Sequence, residues 1–314
     1  MLKRKLFIFW VLSHWGLTAL AQQEPSFSHY WAMESSFNPA AAGKESKVNV
    51  TGAYAMTLTG FEHAPHTMYV GADMPLYLLN GYHGVGVQLM NDELGLFSHQ
   101  RLALQYAYKR RLFGGMLSIG LQVGMLSEKF KGSELDLGDT GMTDPAFSTT
   151  DVTGTALDVS AGLYYARPDW YAGFSILHAT APSVELGDRS ILDIGRIYYL
   201  TGGYNIKLRN PFLTIHPSVL AHTDGTAYRV NVTTRLKYTH DQKMLYAGVA
   251  YSPTHSVTAL VGGVFHGVTL GYSYEVYTSA LSLGNGSHEL FVGYQTEIDL
   301  YKKGRNRHQS VRIL

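Results

Sequence analysis

The feature that most narrows what this chain can become lies at residues 226–239. Tyr228, Val230, Val232, Thr234, Leu236 and Tyr238 share one face of an extended strand, and Arg229, Asn231, Thr233, Arg235 and Lys237 share the other. Two tyrosines bracket the apolar side. Ten residues rising about 3.3 Å each and tilted about 45° span about 23 Å, close to the apolar band of a barrel that crosses a bilayer with strands. The split recurs in Leu102, Leu104, Tyr106 and Tyr108 against Arg101, Gln105 and Lys109, and in Val268, Leu270, Tyr272, Tyr274 and Val276 against Thr269, Ser273 and Glu275. It returns in Leu290, Val292, Tyr294 and Ile298 against Glu289, Gln295, Glu297 and Asp299. Soluble β-sandwiches also alternate, so the decision between water and lipid needs a second observation.

The amino terminus supplies it. Lys3, Arg4 and Lys5 precede the apolar run Leu6 to Leu12, and a small-residue stretch ends in Ala19-Leu20-Ala21. This is the pattern of a secretory signal peptide, with cleavage expected after Ala21; the apolar core is too short, and interrupted too early by His14, for a spanning helix of about 20 apolar residues. No later run is long and apolar enough either, and an exported integral protein without such helices must be a closed barrel. The 33 glycines, 22 tyrosines and 16% charged residues describe aromatic strands joined by tight turns. With no cysteine, the chain has no disulfide, thiolate metal site, cysteine nucleophile or lipid-modified cysteine. A formal net charge of +1 gives no overall pull toward nucleic acid.

The expected fold is therefore all-β: a transmembrane antiparallel barrel of about fourteen strands, at 46–59, 64–76, 82–92, 98–112, 114–127, 153–167, 170–179, 195–209, 211–222, 226–239, 242–252, 256–265, 267–278 and 286–299. Twelve or sixteen strands remain possible. The division of the chain follows as a signal peptide at 1–21, a terminal segment at 22–45, one barrel at 46–299 and a basic tail at 300–314. Connections at Leu112-Phe113-Gly114, Arg167-Pro168-Asp169, Arg209-Asn210-Pro211 and Phe265-His266-Gly267 are tight and fall on one side, while those at 128–152, 180–194 and 279–285 are long and fall on the other. Barrels of the outer membrane keep short turns and both termini in the periplasm and long loops outside.

Several segments taken in order resemble the PorP/SprF family: Gln22 to Ser28, then Phe37-Asn38-Pro39-Ala40-Ala41-Ala42-Gly43, then Pro65-His66-Thr67 ahead of Asp73-Met74-Pro75-Leu76, then the closing His288-Glu289-Leu290-Phe291-Val292-Gly293-Tyr294 and a basic tail ending Ser310-Val311-Arg312-Ile313-Leu314. Ala53 and Met56 stand where family members often carry Arg and Trp. The resemblance implies an outer-membrane component of the type IX secretion system of Bacteroidetes. It further implies periplasmic ring and peptidoglycan-anchoring proteins as partners, and the C-terminal sorting domains of secreted cargo as possible ones.

Inward faces carry the charge. Arg101, Lys109, Arg229, Arg235 and Lys237 are expected to face the lumen beside Glu275, Glu289 and Glu297, cross-linking the wall or lining a wet interior. A solute-specific porin or transporter is the alternative function; a conduit for folded cargo fits this strand number poorly. The terminal segment carries Phe27, Tyr30, Trp31, Asn38 and Pro39, an aromatic density that suggests docking, either into the mouth of its own barrel or onto another secretion component. Lys302, Lys303, Arg305, Arg307 and Arg312 make the tail a second candidate strip for an acidic partner.

Other chemistry finds little support. Glu134, Asp136, Asp139 and Asp144 lack the spacing of a calcium loop, and His63 with His66 lacks a third zinc ligand. No phosphate-binding glycine loop, His-Glu-x-x-His or Gly-x-Ser-x-Gly elbow occurs, so no enzyme, cofactor or metal is expected.

Overall fold

The structure is a computed structural model that describes residues 24–61, 63–134, 149–187, 190–241, 243–278 and 285–297. Seventeen strands form: β1 (Lys47–Met56), β2 (His66–Leu78), β3 (Gly81–Leu94), β4 (Phe97–Leu112), β5 (Gly115–Phe130), β6 (Val152–Ala166), β7 (Trp170–Leu177), β8 (Ser183–Leu186), β9 (Ser190–Asp193), β10 (Ile197–Tyr204), β11 (Ile206–Lys207), β12 (Leu213–Thr223), β13 (Tyr228–His240), β14 (Lys243–Ser252), β15 (Ser256–Phe265), β16 (Val268–Tyr277) and β17 (Ser287–Glu297). β8 and β9 form a separate hairpin and β11 is a two-residue continuation of β10, which leaves fourteen strands in the wall. Each wall strand pairs antiparallel with its chain neighbours. β1 closes on β17, from Lys47 opposite Glu297 to Met56 opposite His288, so the sheet has no free edge to satisfy in lipid.

Alternation sets the faces. Leu102, Leu104, Tyr106 and Tyr108 point outward and Leu104 is 66% exposed, whereas Arg101, Gln105 and Lys109 are buried inside. The split holds on β13, where Val232, Leu236 and Tyr238 are exposed outward and Asn231 and Thr233 are buried inward. An apolar face left exposed on almost every strand is what an aqueous protein avoids and a bilayer requires.

The rims differ. One carries both strand termini of the closure, Lys47 and Glu297, and turns as short as Leu79-Asn80 and Phe113-Gly114, whose positive φ values let two-residue loops reverse the chain. The other carries the longer connections.

Two details depart from the sequence expectation. The stretch expected as a plain loop at 180–194 contains the β8–β9 hairpin, with Val184 and Leu186 buried against Leu126. Such strands are too short for a periodic signal to stand out. The stretch at 170–179 stops as a strand at Leu177 because His178 turns left-handed (φ 53) and breaks the extended run.

Candidate functional site

The lumen is filled by the chain's own residues 24–43, which precede β1. Three short 3-10 turns run through it at Tyr30–Ala32, Glu34–Ser36 and Pro39–Ala41. The last turn follows from its residues. Asn38 is extended and its side-chain oxygen accepts the Ala40 N–H at 3.0 Å, Pro39 is pre-set for the first position, and Gly43 takes a left-handed φ of 60° to lead out toward β1. Phe27, Tyr30, Met33, Phe37 and Ala40 to Ala42 are all buried, and each large apolar side chain among them gains about 1.5–3 kcal/mol by leaving water.

One wall holds the plug by its backbone. An added Cβ on Gly84 would sit 2.0 Å from the Ala42 carbonyl oxygen, on Gly120 2.2 Å from the Ala40 nitrogen, and on Gly162 2.0 Å from Asn38 Oδ1. These distances leave no room for any side chain, so β3, β5 and β6 form a glycine seat on which the Asn38–Ala42 turn rests. Hydrogen bonds complete it. Gln105 Nε2 donates to the Ser35 carbonyl at 2.6 Å, Ser175 Oγ to the Phe37 carbonyl at 2.6 Å and Asn38 Nδ2 to the Leu163 carbonyl at 3.0 Å. The Gly43 N–H donates to Asp73 Oδ1 at 2.7 Å, and Lys109 Nζ donates to the Gly43 carbonyl.

The facing wall holds it by side chains. Glu289 accepts the backbone N–H of Ser28 at 2.6 Å and pairs with His29 Nδ1 at 2.6 Å, while Phe291 stacks on the His29 ring at 5.2 Å. The Arg235 guanidinium lies 3.6 Å above the Trp31 ring, and Tyr246 meets the same indole edge-on at 5.2 Å. On the seat side, Tyr164 Oη of β6 donates to buried Glu34 at 2.7 Å, and Lys44, just before β1, pairs with the same carboxylate at 2.8 Å.

The start of the plug is tied by Glu24, which pairs with Arg101 Nη1 at 2.5 Å and lies 3.5 Å from His178 Nε2. Burial alone would raise the Glu24 carboxyl, but Arg101 and His178 outweigh it and hold it below the usual range. Burial likewise opposes charge on His178, yet Asp158 and Glu24 push it up to about 9. His178 Nδ1 is 3.2 Å from Asp158 Oδ1, an ion-pair distance without hydrogen-bond geometry.

The residues singled out in the sequence fall as follows. Phe27, Tyr30, Asn38 and Pro39 are buried against the barrel's own wall, and Trp31 is half-buried under Arg235. Arg101, Lys109 and Glu289 face inward onto the plug, Arg229 of β13 pairs with Glu275 of β16 at 2.7 Å, and Lys237 points inward half-buried. Glu297 is exposed at the rim. Lys302, Lys303, Arg305, Arg307 and Arg312 lie outside the described residues, as do the signal peptide and the loop acids Asp136, Asp139 and Asp144. His66 sits 3.5 Å from Glu93 on the long-loop rim, and among the described residues no group of three ligands could hold a metal. Glu24, His29, Glu34, His178 and the three seat glycines went unread. Only Asp73 had a signal, because the Asp73–Leu76 motif and the Phe37–Gly43 motif meet at the Gly43 N–H.

Among solved structures, the CymD monoaromatic hydrocarbon channel is similar with a TM-score of 0.51 at 11% identity, covering 86% of this chain and 94% of that one. A FadL homologue from Pseudomonas aeruginosa gives a TM-score of 0.47 at 13% identity over 84% of this chain and 93% of that one. At such identities the likeness to the channel speaks for the outer-membrane barrel fold alone. No curated protein matches. The family described as type IX secretion system membrane protein PorP/SprF matches residues 19–294, which contain both the plug and the wall it rests on, and the chain belongs to that family.

Proposed function

We propose that this protein is a plugged outer-membrane platform of the type IX secretion system. It scaffolds periplasmic ring and peptidoglycan-anchoring components, binds sorting domains of secreted cargo, and performs no catalysis. In this reading the chain is exported by a Sec-type route, the rim bearing the termini faces the periplasm and the long-loop rim faces outside. The observation that carries the reading is the occupied lumen: a barrel filled by its own chain has its surfaces, rather than a bore, to work with.

The rim assigned to the periplasm supports it. Its turns expose Leu79 (99%) and Phe113 (81%), and Arg110, Arg111, Lys207, Arg209 and Lys243 stand exposed around them. Apolar tips set among cations suit an acidic protein surface lying against the membrane. Lys302, Lys303, Arg305, Arg307 and Arg312 extend the same charge.

The test is affinity purification from the native outer membrane in mild detergent, comparing the full chain with a deletion of Lys302–Leu314 and identifying co-purified proteins by mass spectrometry. A defined secretion complex is expected from the full chain, weakened by the deletion. A barrel that purifies alone in both preparations sinks the reading and leaves the solute-specific transporter, which conductance and uptake measurements would then address.

A further inference from the structure

A cavity of about 260 Å³ lies between the plug and the long-loop rim, on the far side of the plug from the chain termini of the barrel. It has two kinds of wall. Phe97, Leu126, Leu192, Ile194 and Ile197 give it an apolar side, closed over by the β8–β9 hairpin that packs on Leu126. Its other side is polar and nearly all paired: Glu24 with Arg101 and His178, and Glu128 with His99.

Asp92 is the exception. It lines the cavity and is 8% exposed, it accepts a hydrogen bond from Thr67 Oγ1 at 2.6 Å, and among the described residues it forms no ion pair. A buried carboxylate with one neutral donor is costly to keep charged, and a cation arriving from the cavity would remove that cost. The local charge agrees. Three carboxylates line the cavity, Glu24, Asp92 and Glu128, against Arg101, His99 and His178, and Asp158 behind His178 brings a fourth negative charge to the three basic groups. An anionic ligand would have to displace Glu24 from Arg101.

Size restricts the ligand further. An apolar cavity of about 150 Å³ accommodates benzene. The present space therefore fits one ring or branched alkyl group with a short tail. We propose that this cavity is a binding site for a small amphipathic amine, with its apolar body against Phe97, Leu126 and Ile194 and its ammonium on Asp92. The site lies apart from the rim invoked for secretion partners and does not depend on that reading.

Isothermal titration of the full-length barrel in nanodiscs, with empty nanodiscs subtracted, tests this with phenethylamine against two analogues of similar shape, phenethyl alcohol and 3-phenylpropionate. Saturable binding of the amine is expected, at least tenfold tighter than the alcohol or the carboxylate. Asp92→Asn should weaken it at least tenfold while leaving Thr67 a partner, and Ile194→Trp should abolish it by filling the space from outside the wall. Heat-modifiable migration on gels checks that both variants are folded barrels. No saturable binding, carboxylate binding as tight as amine binding, or amine binding unchanged in folded Asp92→Asn would each overturn the assignment.

Discussion

The two walls that grip the plug do so by opposite means. On β3, β5 and β6 the inward positions nearest the plug have no side chain: the plug backbone touches the wall at Gly84 and Gly120, and the Asn38 side chain touches it at Gly162. On β13, β14 and β17 the inward positions are Arg235, Tyr246, Glu289 and Phe291, and they reach across to Trp31 and His29. The first wall is a seat whose shape is fixed by what is missing. The second is a clasp whose strength depends on charge and ring geometry. A seat fails abruptly when anything is added, whereas a clasp weakens by increments as partners are removed.

The largest expected effect therefore comes from adding atoms to the seat. Gly120→Val should unseat the Asn38–Ala42 turn, since overpacking at backbone contact costs about 1–3 kcal/mol or more. Planar-bilayer recordings should then show ion conductance that the parent barrel lacks. A closed Gly120→Val barrel would break the comparison, because the seat would have yielded. Glu289→Ala removes the partner of both the Ser28 N–H and the His29 ring, and an unmade buried hydrogen bond costs about 1–3 kcal/mol. Faster deuterium exchange at residues 26–31, with 38–43 still protected, would show that the clasp loosens without the seat. Arg235→Met keeps an unbranched apolar stem but loses the guanidinium over Trp31, at a cost of about 0.5–2 kcal/mol, and should give the same pattern more weakly.

A pH series sharpens the picture at the plug's first residue. Glu24 is depressed in the folded state from 4.5, so its contribution is present above that value and is lost as pH falls through its lower folded value. His178 is raised from 6.5 to about 9, so its contribution is complete below 6.5 and is lost as pH rises through about 9. Protection of the plug's start should therefore peak between about 4.5 and 6.5 and decline toward pH 9, measured as exchange protection normalised for intrinsic rate. Protection that stays flat from pH 6.5 to about 9 would remove His178 from the anchor. The smallest effect belongs to Gly52→Ala, where an added Cβ meets nothing closer than 3.7 Å. Its melting midpoint should match a change within about 0.5 kcal/mol, which would confirm that the penalty at the seat comes from what the added atoms meet and not from replacing glycine in a strand.

What could be read in advance follows from range. Lipid acts on every second residue independently, so Leu102 to Tyr108 and Val232 to Tyr238 announce their face without reference to any other strand. All fourteen wall strands overlap their expected positions for that reason. The plug's contacts are of another kind: Asn38 meets Leu163, and Ser28 meets Glu289 across 261 positions, and no local pattern encodes such a pairing. Glycine misleads most, since Gly84, Gly120 and Gly162 read as flexible or turn-forming in a sequence and only the plug atoms lying against them reveal why a side chain is forbidden there.

The plug also bears on how the barrel is assembled. Residues 24–43 are translated before any of the wall, yet they bind Asp73 on β2, Gln105 on β4, Ser175 on β7, Tyr30's partner Ser218 on β12 and Glu289 on β17. Those groups share one lumen only after β1 has met β17, and a strand slipped by one residue would turn its inward groups out to lipid. Contacts of such high sequence separation form late. The leading segment thus serves as a gauge for the finished cylinder: it seats fully in a barrel of the right circumference and register, and a misregistered one leaves it unseated.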